Sequence, residues 1–295
     1  MNSNDNSHRD SIAVEEALIL AHQAFDGDQY LLRVGAPQIA ASARPGSFVH
    51  ITCDRSRPLR RPISIMRVSA REGWVELLYK VVGEGTRLLA RHQTWERLSV
   101  MGPIGQPFTV HPQRPRPLLI GGGIGMPPMI FVAESLQGDT RYRPFAILGS
   151  EAPFPFKPRP SRALVPGLDD EVIAAMPLLD DWGIPSRLTS QVARPGCHQG
   201  YVTDLARQWL ESLDPQARGE VEILACGPHP MLEAVARLAD AFDIPCQVSL
   251  EEFMACGVGG CAGCVVEVQT DNGPAMKRVC VDGPVFDARQ VFPAA

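Results

Sequence analysis

The sequence has no long uninterrupted apolar run. Its most apolar stretch, Pro117 to Ala133, is broken by four glycines and three prolines, so it reads as strand, loop and helix and not as a membrane span. Positive charge is not concentrated anywhere either. The 28 Lys and Arg residues are scattered among 33 Asp and Glu, giving a net charge of -5, which leaves no basic field for a nucleic-acid backbone. Residues Met1 to Asp10 lack the basic start and apolar core of a signal peptide. A cytoplasmic chain with a disordered leader over 1–13 is expected. No internal repeat is visible. What remains is 295 residues, 45% hydrophobic and 21% charged, enough to bury the cores of two or three packed units.

The texture of the chain changes twice. Short alternating apolar and polar runs (Ala17 to Leu20, Tyr30 to Val34, Phe48 to Thr52, Val75 to Val82) predict an antiparallel β-barrel over 14–110, with one helix starting at Gly85-Thr86. Beyond the proline-rich joint His111 to Pro117, strands and helices alternate. Strands are predicted at Leu118 to Ile120, Phe145 to Leu148, Val221 to Ala225 and Gln247 to Leu250; helices at Pro128 to Leu136, Thr203 to Leu213 and Met231 to Phe242. That order predicts an α/β parallel-sheet domain over 117–245. A short cysteine-bearing module, 246–295, closes a multidomain α+β chain.

Four of the eight cysteines, Cys256, Cys261, Cys264 and Cys280, fall in the last 40 residues. In a chain expected in a reducing compartment such a cluster predicts metal and not disulfides. The spacing C-x4-C-x2-C followed by a remote fourth cysteine is the plant-type ferredoxin pattern for a [2Fe–2S] cluster. Zinc more often draws on two separated pairs of close cysteines. An anionic cluster needs backbone N–H donors from a loop that turns tightly, and Gly257, Gly259, Gly260 and Gly263 permit such a loop. By analogy with ferredoxins, Cys256 and Cys261 would share one iron, Cys264 and Cys280 the other.

Within the barrel, Arg61-Pro62-Ile63-Ser64 ends one strand pattern, and Leu78-Tyr79-Lys80 with Gly83-Glu84-Gly85-Thr86 ends another. These resemble the Arg-x-x-Ser and Gly-Thr elements of flavin reductase barrels. That resemblance implies a cation at the FAD pyrophosphate, a catalytic hydroxyl, Ser64, near the flavin ring, and N–H groups for phosphate at the helix start. Taken singly, Arg61 is also compatible with a surface arginine, Gly85-Thr86 with an ordinary helix cap, and Tyr79 with a half-buried strand aromatic.

Gly121-Gly122-Gly123-Ile124-Gly125 follows an apolar strand and precedes a helix, the context of a phosphate-cradling loop, although Met126 breaks the strict G-x-G-x-x-G pattern. Cys226-Gly227-Pro228 ends the strand Val221 to Ala225, where ligands gather in open α/β sheets. It is similar to the Cys-Gly-Pro turn of the ferredoxin–NADP reductase superfamily, which implies a catalytic Cys226 beside the nicotinamide; a buried structural cysteine is the alternative. Glu151 is a candidate for a ribose hydroxyl, favouring NAD, whereas Arg159 and Arg162 are candidates for a 2′-phosphate.

Together these motifs, and above all the tail Glu252 to Gly259, Cys261 to Cys264 and Val279 to Phe286, resemble the electron-transfer subunit of two-subunit dihydroorotate dehydrogenase. The resemblance implies FAD, a [2Fe–2S] cluster and NAD as the redox groups of an oxidoreductase subunit in pyrimidine biosynthesis. It also implies an FMN-containing catalytic partner in a heterotetramer. The alternatives are an NAD(P)H-dependent reductase subunit serving a ferredoxin, hydrogenase-type or oxygenase partner, and a redox sensor without nucleotide binding. One departure from the family is the proline-rich stretch Pro153 to Pro166, the start of a longer connection reaching about Gln199.

Overall fold

The computed structural model describes residues 12–293, so the leader expected over 1–13 lies outside the described residues except at its end, where Ala13 already opens a strand. The chain divides into two packed units. One combines the described part of Met1–Pro107 with Glu251–Val285; the other combines Phe108–Leu250 with the described part of Phe286–Ala295. The stretch 246–295, expected as one module, is therefore shared between them.

The first unit is built on six strands: β1 (Ala13–Phe25), β2 (Gln29–Gly35), β3 (Phe48–Ile51), β4 (Arg61–Ser69), β5 (Trp74–Lys80) and β6 (Arg97–Ile104). They close into a barrel in the order β1-β2-β5-β4-β3-β6, with neighbouring strands antiparallel. Two short helices, α1 (Pro37–Ser42) and α2 (Glu84–Leu89), sit in its connections. The alternation read from the sequence has a direct cause. Ile19, Leu32, Val34, Val49, Ile51, Ile65, Val75, Leu77 and Val100 are wholly excluded from solvent and fill the barrel. Register shifts at Ile19/Ala21, Phe48/His50 and Ile65/Arg67 supply the extra twist that closing a small barrel requires.

The second unit carries a seven-stranded sheet. Its order is His198–Gln199, Ser186–Ser190, Phe145–Gly149, Arg116–Gly122, Val221–Cys226, Cys246–Ser249 and Val285–Asp287. The pairs among the first six run parallel. Strands β7 (Arg116–Gly122) and β8 (Phe145–Gly149) lie inside this sheet, covered on both faces, which is why they read as continuous apolar runs. Helix α3 (Met126–Leu136) is buried along nearly its whole length, and the helices Val202–Ser212 and His229–Ala241 are amphipathic. Among the described residues no helix is long and apolar enough to cross a membrane.

The proline-rich connection is held down by two charged residues. Asp180, 5% exposed, accepts from Arg162 Nε at 2.9 Å, Arg159 Nη2 at 3.1 Å and the Arg162 backbone N–H at 3.0 Å. Arg187, equally buried, donates to the Ala163 carbonyl at 2.9 Å. Both arginines considered from the sequence for a 2′-phosphate are paired with Asp180 and Asp181.

Asp180→Ala removes the buried one of the two acceptors shared by these arginines. We expect a stability loss of about 1.5–3 kcal/mol, the range for hydrogen bonds to charged groups. Protease cleavage within 153–166 should accelerate while flavin and iron contents stay unchanged, and unchanged proteolysis would count against Asp180 as the anchor.

Candidate functional site

In the first unit, the cysteine segment owes its geometry to a hairpin. Strands Val265–Thr270 and Gly273–Arg278 pair antiparallel, with Val265 opposite Arg278, so Cys264 just before the hairpin and Cys280 just after it return to each other. The Val279 N–H donates to the Cys264 carbonyl at 2.9 Å and the Cys280 N–H to Cys264 Sγ at 3.4 Å. The long interval before the fourth cysteine is therefore a ladder and not a loose loop. Upstream, the chain turns sharply through positive φ at Gly257 (+70°), Gly259 (+82°) and Ala262 (+51°). This aims the Val258 N–H at Cys256 Sγ (3.5 Å) and the Gly263 N–H at Cys261 Sγ (3.4 Å). Arg278 ties the turn to the hairpin through the Gly259 carbonyl at 3.2 Å.

The thiols fall into two pairs, Cys256 with Cys261 and Cys264 with Cys280, each within hydrogen-bonding reach. Among the described residues, no three His, Cys, Asp or Glu side chains converge as ligands of a single ion. Two pairs lined with N–H donors suit a two-iron group better than one metal ion. The pairs differ electrostatically. Burial raises the Cys256 thiol, but the Val258 and Cys261 N–H groups, the Cys261 thiol and the Gly260 N–H outweigh it and bring it down to about 6. Burial, and then the hydrogen bond and charge of Cys264, push Cys280 up to about 12. Cys256 therefore ionises readily, while Cys280 needs a metal's positive charge to do so.

On the barrel, the sequence motifs meet. The Arg61 guanidinium lies flat against Gly85, where a Cβ would stand 2.6 Å from Nε, and Arg61 Nη1 donates to the Leu59 carbonyl at 2.8 Å. Ser64 is cross-strand from Phe48, and Pro62 from His50. Thr86 Oγ1 accepts from the Val82 and Gly83 N–H groups at 3.1 and 3.3 Å, so its hydroxyl caps α2. Ile63 and Leu78 are buried in the barrel wall, and Lys80 is half-buried at the end of β5. Tyr79 is 3% exposed, stacks on Tyr30 at 5.4 Å and has its hydroxyl engaged by His22 Nε2 at 2.8 Å, a packed strand aromatic.

In the second unit, β7 and the strand Val221–Cys226 are parallel neighbours with Gly121 opposite Cys226. This brings the two turns read from the sequence together. A Cβ on Gly125 would stand 2.2 Å from the Cys226 carbonyl oxygen, one on Gly122 2.3 Å from Met231 Sδ, and one on Gly227 2.5 Å from Met231 Cε. Gly123, at φ +56°, makes the turn itself. Cys226 is fully buried and Pro228 caps the following helix. Pro127 and Pro128 stand in the first turn of α3 and carry no N–H. The glycines therefore provide closeness between two turns, and the helix end offers an anion few donors. Glu151 is exposed just beyond β8.

The sequence reading passed over His50. It is wholly buried, and neither ring nitrogen has a hydrogen-bond partner. A Cβ at Gly257 would lie 2.9 Å from both its Nδ1 and Cε1. Burial, followed by the charges of Arg60 and Arg61, lowers its pKa to about 4, so it is neutral at pH 7. The available signal was one ionisable residue inside the apolar run Phe48 to Thr52.

Residues 251–292 match the family model described as the iron-sulfur cluster binding domain of dihydroorotate dehydrogenase B. The chain is 31% identical to the NAD(+)-linked dihydroorotate dehydrogenase B electron transfer subunit of Desulforamulus reducens, over 94% of this chain and 98% of the relative. It is 34% identical to the corresponding subunit of Bacillus caldolyticus with the same coverage. Among solved structures, it resembles the NADH-dependent reduced ferredoxin-NADP oxidoreductase studied for flavin-based electron bifurcation, with a TM-score of 0.74 and 25% identity, covering 94% of this chain and 90% of that one. The ferredoxin reductase of carbazole 1,9a-dioxygenase shares the fold, with a TM-score of 0.59 and 20% identity over 79% of this chain and 67% of that one.

Gly257→Ala places a Cβ in the left-handed region, at a cost of about 1–2 kcal/mol, and against the His50 ring. Iron and acid-labile sulfide per chain should fall while flavin content holds; full iron loading would show that the turn does not need this glycine.

Proposed function

The chain belongs to the family of dihydroorotate dehydrogenase B electron transfer subunits, and from that premise we infer that it moves electrons between a dihydroorotate dehydrogenase catalytic subunit holding FMN and NAD, in pyrimidine biosynthesis. The overall reaction takes two electrons and two protons from dihydroorotate, giving orotate, and delivers a hydride to NAD with release of one proton. FAD and a [2Fe–2S] cluster are its redox groups: when bound, the cluster would take single electrons from the partner, and FAD would collect them and exchange two with NAD. The observation that carries this reading is the joining, within one unit, of the paired cysteines to a barrel whose Arg61 rests on Gly85.

The chain's own residues divide the work. Cys256, Cys261, Cys264 and Cys280 would hold the iron, and the N–H groups of Val258, Gly263 and Cys280, directed at cysteine sulfurs, would stabilise their anionic form. Arg61 supplies positive charge for the FAD pyrophosphate, and Gly85 leaves room for the guanidinium to lie flat. Pro62, Ile63, Leu78, Tyr79 and Lys80 shape the wall, Thr86 holds the start of α2, and Ser64 offers the hydroxyl for the flavin ring. In the second unit Gly121, Gly122, Gly123, Gly125, Cys226, Gly227 and Pro228 form the turn that receives NAD. The protein acts in the cytoplasm, in a heterotetramer with two copies of each subunit.

The solved reductase at 25% identity supports one rival, an NAD(P)H-dependent subunit serving a ferredoxin. Co-purification with the natural partner, followed by an assay of dihydroorotate-dependent NAD reduction, separates the two. Turnover is expected; absence of a dihydroorotate-oxidising partner, together with ferredoxin reduction by NAD(P)H, would select the rival.

The two cofactor sites should be separable by mutation. Cys280→Ser is expected to lower the iron content with FAD retained, and Arg61→Ala to lower FAD occupancy with the cluster retained, read from flavin and iron contents per chain. Loss of both groups in either variant would contradict independent sites.

A further inference from the structure

His50 lies on β3 between Val49 and Ile51, which fill the barrel interior, so the alternation of a strand turns Phe48 and His50 to the opposite face. The returning segment Glu251–Val285 covers that face. A Cβ at Gly105 would meet Pro284 Cδ at 2.3 Å and Phe48 Cε1 at 3.2 Å, and one at Gly257 would meet the His50 ring at 2.9 Å. The imidazole is therefore sealed against the turn that follows the first cysteine, and a wholly buried ring with two unpartnered nitrogens is rare in a folded protein. Its position is fixed independently of any ligand, because Arg60 donates to the His50 carbonyl at 3.3 Å and to the Ser99 carbonyl at 2.8 Å, clamping β3 to β6.

We propose that His50 donates an imidazole N–H hydrogen bond to sulfur on the Cys256–Cys261 side of the [2Fe–2S] group, and so tunes its reduction potential. This inference rests on the cluster assignment above and deepens it. Sulfur in a cluster is more negative after reduction, so a donor favours the reduced state and raises the potential. His50 is a positioning and tuning residue: it ligates no iron and transfers no electron. The glycine at 257 is what allows the approach, since any side chain there would displace the ring.

The test uses the purified protein with FAD and cluster bound. Ring-15N-histidine labelling and pulsed EPR of the reduced cluster should reveal a histidine nitrogen coupled to the iron, without any substitution. In His50→Phe that coupling should vanish and the one-electron equilibrium of the cluster should shift toward oxidation by about tenfold, equivalent to ~59 mV. Flavin potential and iron content should stay as in the parent, and His50→Asn, which retains an N–H donor, should recover part of the shift. A reduced cluster without histidine nitrogen coupling overturns the proposal even if His50→Phe fails to fold. So does an unchanged cluster potential in a fully loaded variant, or a shift confined to the flavin, which would place the donor at the other group. Parent protein with FAD but no cluster signal would instead overturn the cluster assignment, and this inference with it.

Discussion

Anionic sulfur held at the wall of a β-barrel is the constraint from which the rest of the first unit follows. Such sulfur must be met by N–H groups at short range, and the chain must bend around it without side chains intervening. The turn through Gly257, Gly259 and Ala262 does the bending, and the hairpin after Cys264 brings the fourth cysteine home with its own N–H directed at a sulfur. Cys256 and Cys280 then differ in how readily they ionise.

The second unit solves a different problem, the close approach of two turns. Parallel pairing of β7 with Val221–Cys226 sets Gly121 opposite Cys226, and the absence of Cβ atoms at Gly122, Gly125 and Gly227 lets backbone meet backbone and Met231. Each glycine has a contact that explains it. The prolines of α3 belong to the same design, because they start the helix at a fixed angle while removing donors that a phosphate loop would display.

Much of this was legible in the sequence, for physical reasons. Alternation exposed the barrel because Ile19, Leu32 and Val75 face a closed interior, and continuous apolar runs exposed β7 and β8 because a parallel sheet is covered on both faces. The cysteine spacing was informative because ligand geometry is local. What escaped detection depends on remote partners. His50 is unremarkable until Gly257 arrives from the far end of the chain, Arg159 and Arg162 look available until Asp180 is placed between them, and the return of Val285–Asp287 to the sheet leaves little trace in three residues.

The hairpin between the third and fourth cysteines carries a consequence for how this segment can vary. Its two ends are fixed by ladder pairing, so the cysteine-bearing ends are indifferent to what happens at the tip around Asp271-Asn272. Residues added there in cross-strand pairs would lengthen the ladder and leave Cys264 and Cys280 together. The spacing that identifies the motif in the sequence is thus not a fixed length, and the tip is a natural place for lineages to diverge in length or for a spectroscopic label to be attached.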